Sequence, residues 1–185
     1  MTEIDHLLRA WIVAHRTMSV TPLMVGLSAV GRGGVVWLTI GGLLTMRRRM
    51  APRALVILVL ALILASILAN EVLKPLVGRE RPFVTSPQVA VIGGRPDDAS
   101  FPSGHAAGAF AGALVLSRFV PGGQIGWWVL AIAIAYSRVY LGVHYPLDVA
   151  GGALVGLAAA AITLELAKRS ARRFPTHRAG RQTID

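Results

Sequence analysis

The 185-residue chain holds no cysteine, which excludes disulfides, thiolate metal sites and cysteine nucleophiles. Charge is also scarce: 15% of residues are charged, against about 25% in a soluble domain. Acidic residues are the scarcest, nine Asp and Glu against nineteen Lys and Arg, for a formal charge of +10. A basic excess serves nucleic acid when it covers a soluble face. Here it lies beside long apolar runs, where it sets membrane orientation instead, so no nucleic-acid partner is expected. What fills the chain is apolar: 54% of residues are hydrophobic and the mean hydropathy is +0.60. Much of the surface must therefore face lipid.

The first sixteen residues do not read as a secretory signal, because Glu3 and Asp5 stand where a basic segment and an apolar core would be needed. Ile4, Leu7, Leu8, Trp11 and Ile12 recur at helical spacing, which predicts an amphipathic helix in the membrane interface over 1–16. Five apolar segments come after it, 21–46, 54–73, 103–120, 126–143 and 146–167. Each suits a bilayer crossing, which takes about 17 to 25 residues of helix. The first is interrupted at Gly31, Arg32, Gly33 and Gly34, and 78–101 is the long polar loop. The expected fold is thus all-α: one membrane-embedded domain over 1–185, an integral helical bundle of about five transmembrane helices plus the interfacial one. The basic tail, 168–185, is expected to be loosely ordered.

With five spans, eleven of the nineteen basic residues fall on one side: Arg47, Arg48, Arg49, Arg53, Arg118, Lys168, Arg169, Arg172, Arg173, Arg178 and Arg181. The positive-inside rule makes that side cytoplasmic, so the long loop is expected to face the periplasm or the extracellular space. Small residues repeat every four positions at Gly104, Gly108 and Gly112 and again at Gly152 and Gly156. This spacing lets helices approach closely in lipid.

Ionisable residues at membrane depth are costly and point to function. They gather in three blocks: Lys74, Arg81 and Pro82; Pro102, Ser103, Gly104 and His105; and Ser137, Arg138, His144 and Asp148. The expected topology brings these span ends to one face. Lys74, Arg81 and Arg138 supply three cations suited to phosphate oxygens. Ser103 and Gly104 open a helix, where backbone N–H groups and the dipole favour an anion. His105 and His144 are equipped for nucleophilic and acid–base work. Asp148, four residues after His144, is placed to orient an imidazole.

The spacing of these blocks, Lys74 to Arg81-Pro82, then Pro102-Ser103-Gly104-His105, then Ser137-Arg138 to His144 and Asp148, resembles the three-part signature of the type 2 phosphatidic acid phosphatase (PAP2) superfamily. The resemblance implies that His144 attacks phosphorus and forms a phosphohistidine, while Asp148 orients it. It implies that His105 protonates the leaving oxygen and then activates water. Lys74, Arg81, Arg138, Ser103 and the Gly104 amide would hold the phosphoryl oxygens. No cofactor and no metal are implied; the partners are the membrane and a lipid phosphate. Undecaprenyl diphosphate is the favoured substrate, with phosphatidylglycerophosphate, phosphatidic acid and a lipid A phosphate as alternatives. Vanadium haloperoxidases share the signature but are soluble and larger, and a non-enzymatic lipid-binding protein is the remaining reading. Glu71, one turn before Lys74, is a candidate partner for it. Arg79 and Arg95 read as solvated loop charges or headgroup contacts, and Arg32 as a cavity residue or the edge of its span.

Overall fold

The structure, a computed structural model, describes residues 3–88 and 90–173. All regular structure among them is helical: α1 (Glu3–Ala14), α2 (Thr21–Gly31), α3 (Val35–Met46), α4 (Pro52–Ser66), α5 (Lys74–Val77), α6 (Pro82–Thr85), α7 (Gly104–Phe119), α8 (Gln124–Tyr140) and α9 (Pro146–Arg173). A 3-10 turn, Arg32–Gly34, links α2 to α3. Gly33 and Gly34 adopt φ of 59° and 73° there, a left-handed conformation that suits glycine. The two helices still form one 26-residue apolar unit, Thr21–Met46.

Three helical units are long and apolar enough to cross a membrane: Thr21–Met46, Pro52–Thr85 and Pro146–Arg173, with mean hydropathies of 1.5, 2.6 and 1.9. The other two expected spans are shorter. Helix α7 has 16 residues and α8 has 17, or about 24–26 Å at 1.5 Å per residue. Outward-facing stripes track the helical repeat. Val56, Leu60 and Ile63 are exposed along α4, with Ile67 just after it, and Ile125, Val129, Ile132 and Tyr136 along α8. Apolar stripes of this kind fit lipid rather than water.

Helix α7 is the axle, packed against α9, α8 and α4. Its inner positions are nearly all small: Ala106, Ala107, Ala109, Ala111, Gly112 and Ala113 are buried. A Cβ on Gly152 would lie 2.3 Å from the Ser103 carbonyl oxygen, and one on Gly156 2.1 Å from that of Ala107, so α9 meets α7 backbone to backbone. A Cβ on Gly112 would lie 2.4 Å from the buried Trp37 ring. Gly108 departs from the expected packing role, since nothing lies within 4 Å of a Cβ there; it lines a cavity instead.

At α1 the apolar face points outward. Ile4, Leu7, Leu8 and Trp11 are exposed, while Asp5 and Arg9 are buried against the bundle. The C-terminal expectation needs correction. Lys168–Arg173 belong to α9 rather than to a loose tail; Glu165 pairs with Lys168 and Arg169 at 3.8 and 3.0 Å, the i+3 and i+4 spacings that support a helix. The rest of the expected tail, 174–185, lies outside the described residues.

Candidate active site

Before Lys74 the chain widens into a π-helical turn, Ile67–Leu73, a feature frequent at functional sites because it re-aims the next residues of the helix. Lys74 lands on the buried side, 7% exposed. Its partner is the Asp98 carboxylate, not Glu71, which is exposed. Arg81 shares that carboxylate: Nη2 donates to Asp98 Oδ1 at 2.6 Å and Nε to the Asp98 carbonyl at 2.8 Å. Burial would raise the Asp98 pKa, but hydrogen bonds from Lys74 and Arg81 and their charges override it and hold the carboxyl at about 2.

Helix α7 opens the second block. Ser103 occupies its N-cap position, and its side chain makes no cap bond. Among the described residues, Ser103 Oγ, His105 Nε2 and Arg138 Nε are buried polar atoms without a hydrogen-bond partner. Buried polar groups are ordinarily satisfied, and these three atoms belong to two of the three blocks. Gly104 admits the Asn70 side chain, whose Oδ1 would be 2.7 Å from a Cβ there. Ser137 bonds back to the Ile134 carbonyl at 2.6 Å and is structural. Arg138 is held by Ser28 through Nη1.

The third block is a turn, Leu141 to Tyr145, between α8 and α9, with Gly142 at φ 81°. It buries His144 to 2% exposure. Arg81 Nη1 donates to His144 Nε2 at 3.3 Å, while His144 Nδ1 faces Asp148 Oδ2 at 3.5 Å. That arrangement suits the tautomer with the proton on Nδ1 and the lone pair on Nε2. The Asp148–His144 distance is long for a hydrogen bond.

Three further residues hold Asp148. Ser100 Oγ donates to Oδ2 at 2.5 Å and the Tyr145 N–H to the same oxygen at 2.8 Å. Arg79 Nη1 donates to Oδ1 at 2.6 Å. Arg79 is thus neither a solvated charge nor a headgroup contact. Its guanidinium lies over the Tyr145 ring at 4.2 Å and also pairs with Asp5 of α1. Ser100, Asp98 and the role of Arg79 escaped sequence reading. The available signal was their position in a loop tethered between two signature blocks.

A cavity of about 580 Å³ joins the blocks. Lys74, Arg81, Gly104, His105, Arg138 and His144 line it, with Ser28, Asn70, Asp98 and Gly108. Ser103 and Asp148 stand outside this lining and are fully buried. Arg32 and Arg95 line it too, which assigns Arg32 to the cavity; Arg95 also lies over Phe83 at 5.6 Å.

Known proteins resemble this chain in sequence and in fold. It is similar to an undecaprenyl-diphosphatase of Sulfolobus acidocaldarius, 38% identical over 139 residues, covering 72% of this chain and 64% of that one. It spans 64, 58 and 54% of the length of three curated relatives that it matches. Its fold is similar to that of LpxE from Aquifex aeolicus, with a TM-score of 0.78, 28% identity, and 89% of this chain and 96% of that one covered. It is also similar to a transmembrane PAP2-type phosphatidylglycerolphosphate phosphatase from Bacillus subtilis, at 0.72, 26%, 90% and 85%. Together with the apolar helices, these likenesses make the chain a membrane protein. The PAP2 superfamily model matches residues 54–172, a range that contains all three blocks, and the chain belongs to that superfamily.

Proposed function

We propose that the chain is a membrane lipid phosphatase acting through a phosphohistidine on His144. The observation that carries this reading is the placement of His144: Nε2 beside Arg81 at 3.3 Å, Nδ1 toward Asp148 at 3.5 Å. In the first step the Nε2 lone pair attacks phosphorus and the bond to the leaving oxygen breaks. His105 gives that oxygen a proton. In the second, water attacks phosphorus, His105 takes the water's proton, and the P–N bond breaks to release phosphate and free His144. Lys74, Arg81, Arg138, Ser103 and the Gly104 amide hold the phosphoryl oxygens. Phosphoryl transfer needs mainly positioning and charge stabilisation, which these groups supply. Asp98 must leave Lys74 and Arg81 for phosphate to reach them.

Undecaprenyl diphosphate is the preferred substrate, a choice supported by the likeness to the Sulfolobus enzyme. The likeness to the Bacillus phosphatase makes phosphatidylglycerophosphate the second choice. The cavity is read as facing the periplasm or exterior, with the lipid entering sideways so that its tails stay in the bilayer.

The test is phosphate release from undecaprenyl diphosphate in detergent with EDTA, comparing wild type with His144→Ala. Release by wild type alone is the expected result. Turnover of phosphatidylglycerophosphate only would keep the chemistry and change the substrate. Activity that survives His144→Ala, or that requires a metal, overturns the reading.

A further inference from the structure

Asp5 is the least expected buried charge in the molecule. It lies on an N-terminal helix with no signature residue, yet it is 1% exposed. Its carboxylate accepts the Leu147 N–H at 2.9 Å through Oδ1 and pairs with Arg79 through Oδ2. Arg79 then reaches Asp148 Oδ1 at 2.6 Å with its other terminal nitrogen. The three groups form one continuous chain, Asp5–Arg79–Asp148, buried at both carboxylates and half-buried at Arg79, that ends on the carboxylate facing His144.

From this geometry we infer that Arg79 is a positioning residue for Asp148, and that Asp5 makes α1 part of the catalytic apparatus. The inference rests on the roles proposed for His144 and Asp148. Its physical basis is twofold. A planar guanidinium that bridges two carboxylates restrains both, since each bond is directional and charge-assisted. A cation–π contact with the Tyr145 ring at 4.2 Å holds the guanidinium further. Arg79 also balances charge. Alone, its cation beside Asp148 would weaken the carboxylate's hold on a protonated His144. Asp5 takes part of that charge, leaving Asp148 anionic enough to stabilise the imidazolium.

The two partners therefore act in opposite electrical directions on His144. Lys74, Arg81, Asp98, His105, Arg138 and Asp148 are titratable groups around it, and they stay the same in each variant tested. Removing the Arg79 cation favours protonated His144, so the acid limb of the kcat/KM profile should move to higher pH. Removing the Asp5 anion leaves Arg79 uncompensated, so the limb should move to lower pH. A purely structural role would loosen the site without opposite shifts.

The experiment measures pH profiles of phosphate release by the full chain in detergent, for wild type, Arg79→Gln, Asp5→Asn and the double variant. Exposed Glu3→Gln on the same helix is the control and should match wild type. Arg79→Gln should lower kcat by roughly ten- to a hundredfold, the scale of a misplaced catalytic group, with KM within about twofold of wild type. Asp5→Asn should lower kcat less, and the double variant should be no worse than Arg79→Gln alone, because coupled partners are not additive. Arg79→Lys should keep the acid limb near wild type while recovering only part of kcat. Asp5→Asn keeps nearly the same shape and the acceptor for Leu147, so it remains informative if Arg79→Gln does not fold. Acid limbs that stay still or move together would overturn the inference. Loss of activity in His144→Ala beside full activity in Arg79→Gln would overturn this inference alone; activity in His144→Ala would overturn the reading of the site.

Discussion

Asp98 lines the cavity and shares its carboxylate between Lys74 and Arg81, so it would compete with the proposed phosphate for both cations. All the donor nitrogens of Arg81 are engaged: Nε and Nη2 by Asp98, Nη1 by the Val143 carbonyl and His144. Asp98→Asn removes the competing charge, so inorganic phosphate should inhibit turnover several-fold more strongly. A weaker inhibition would mean that Asp98 arranges the two cations rather than competing for them. The Asp98 pKa is depressed, raised by burial but pulled down further by Lys74 and Arg81, to about 2. Its anchoring of the loop is therefore fully present above the ordinary carboxylate range and lost as pH falls through about 2. Limited proteolysis with pepsin should leave the 90–98 segment protected near pH 4 and expose it toward pH 2.

At the scale of helices, the contact of α9 with α7 decides stability. Gly156→Ala would put a methyl 2.1 Å from a backbone oxygen, and backbone cannot step aside as a side chain can. A loss of about 1–3 kcal/mol is expected, read as a lower thermal midpoint in detergent. Gly108→Ala, with nothing within 4 Å, should leave that midpoint unchanged. The pair separates two glycines that look alike in sequence. Both stand in a four-residue repeat, but one faces a neighbouring helix and the other a cavity.

For the molecule as a whole, the asymmetry of basic residues predicts an orientation that can be tested. The absence of cysteine makes the test clean, since any introduced thiol is the only one. Gln88→Cys in the long loop should react with a membrane-impermeant maleimide added outside intact cells. Arg49→Cys in the basic turn should react only after the membrane is opened. The reverse pattern would place the cavity in the cytoplasm and remove the argument for an outward-facing lipid diphosphate.

Hydropathy and spacing alone determined the helical class, the apolar runs and the signature residues, because each depends on local composition or on offsets along the chain. Lys74, Arg81, His105, Arg138 and His144 were identifiable from those offsets, and the structure brings them to one cavity. Tertiary structure decided the pairings. Asp5 and Arg79 are 74 residues apart, Arg79 and Asp148 are 69 apart, and Lys74 and Asp98 are 24 apart. No periodicity links such partners; only packing α1 and the long loop onto the ends of α8 and α9 does. The same packing buries charges that, in sequence, look like ordinary solvated ones. A charge acquires its role from the partner that desolvation obliges it to find, and that partner is chosen in three dimensions.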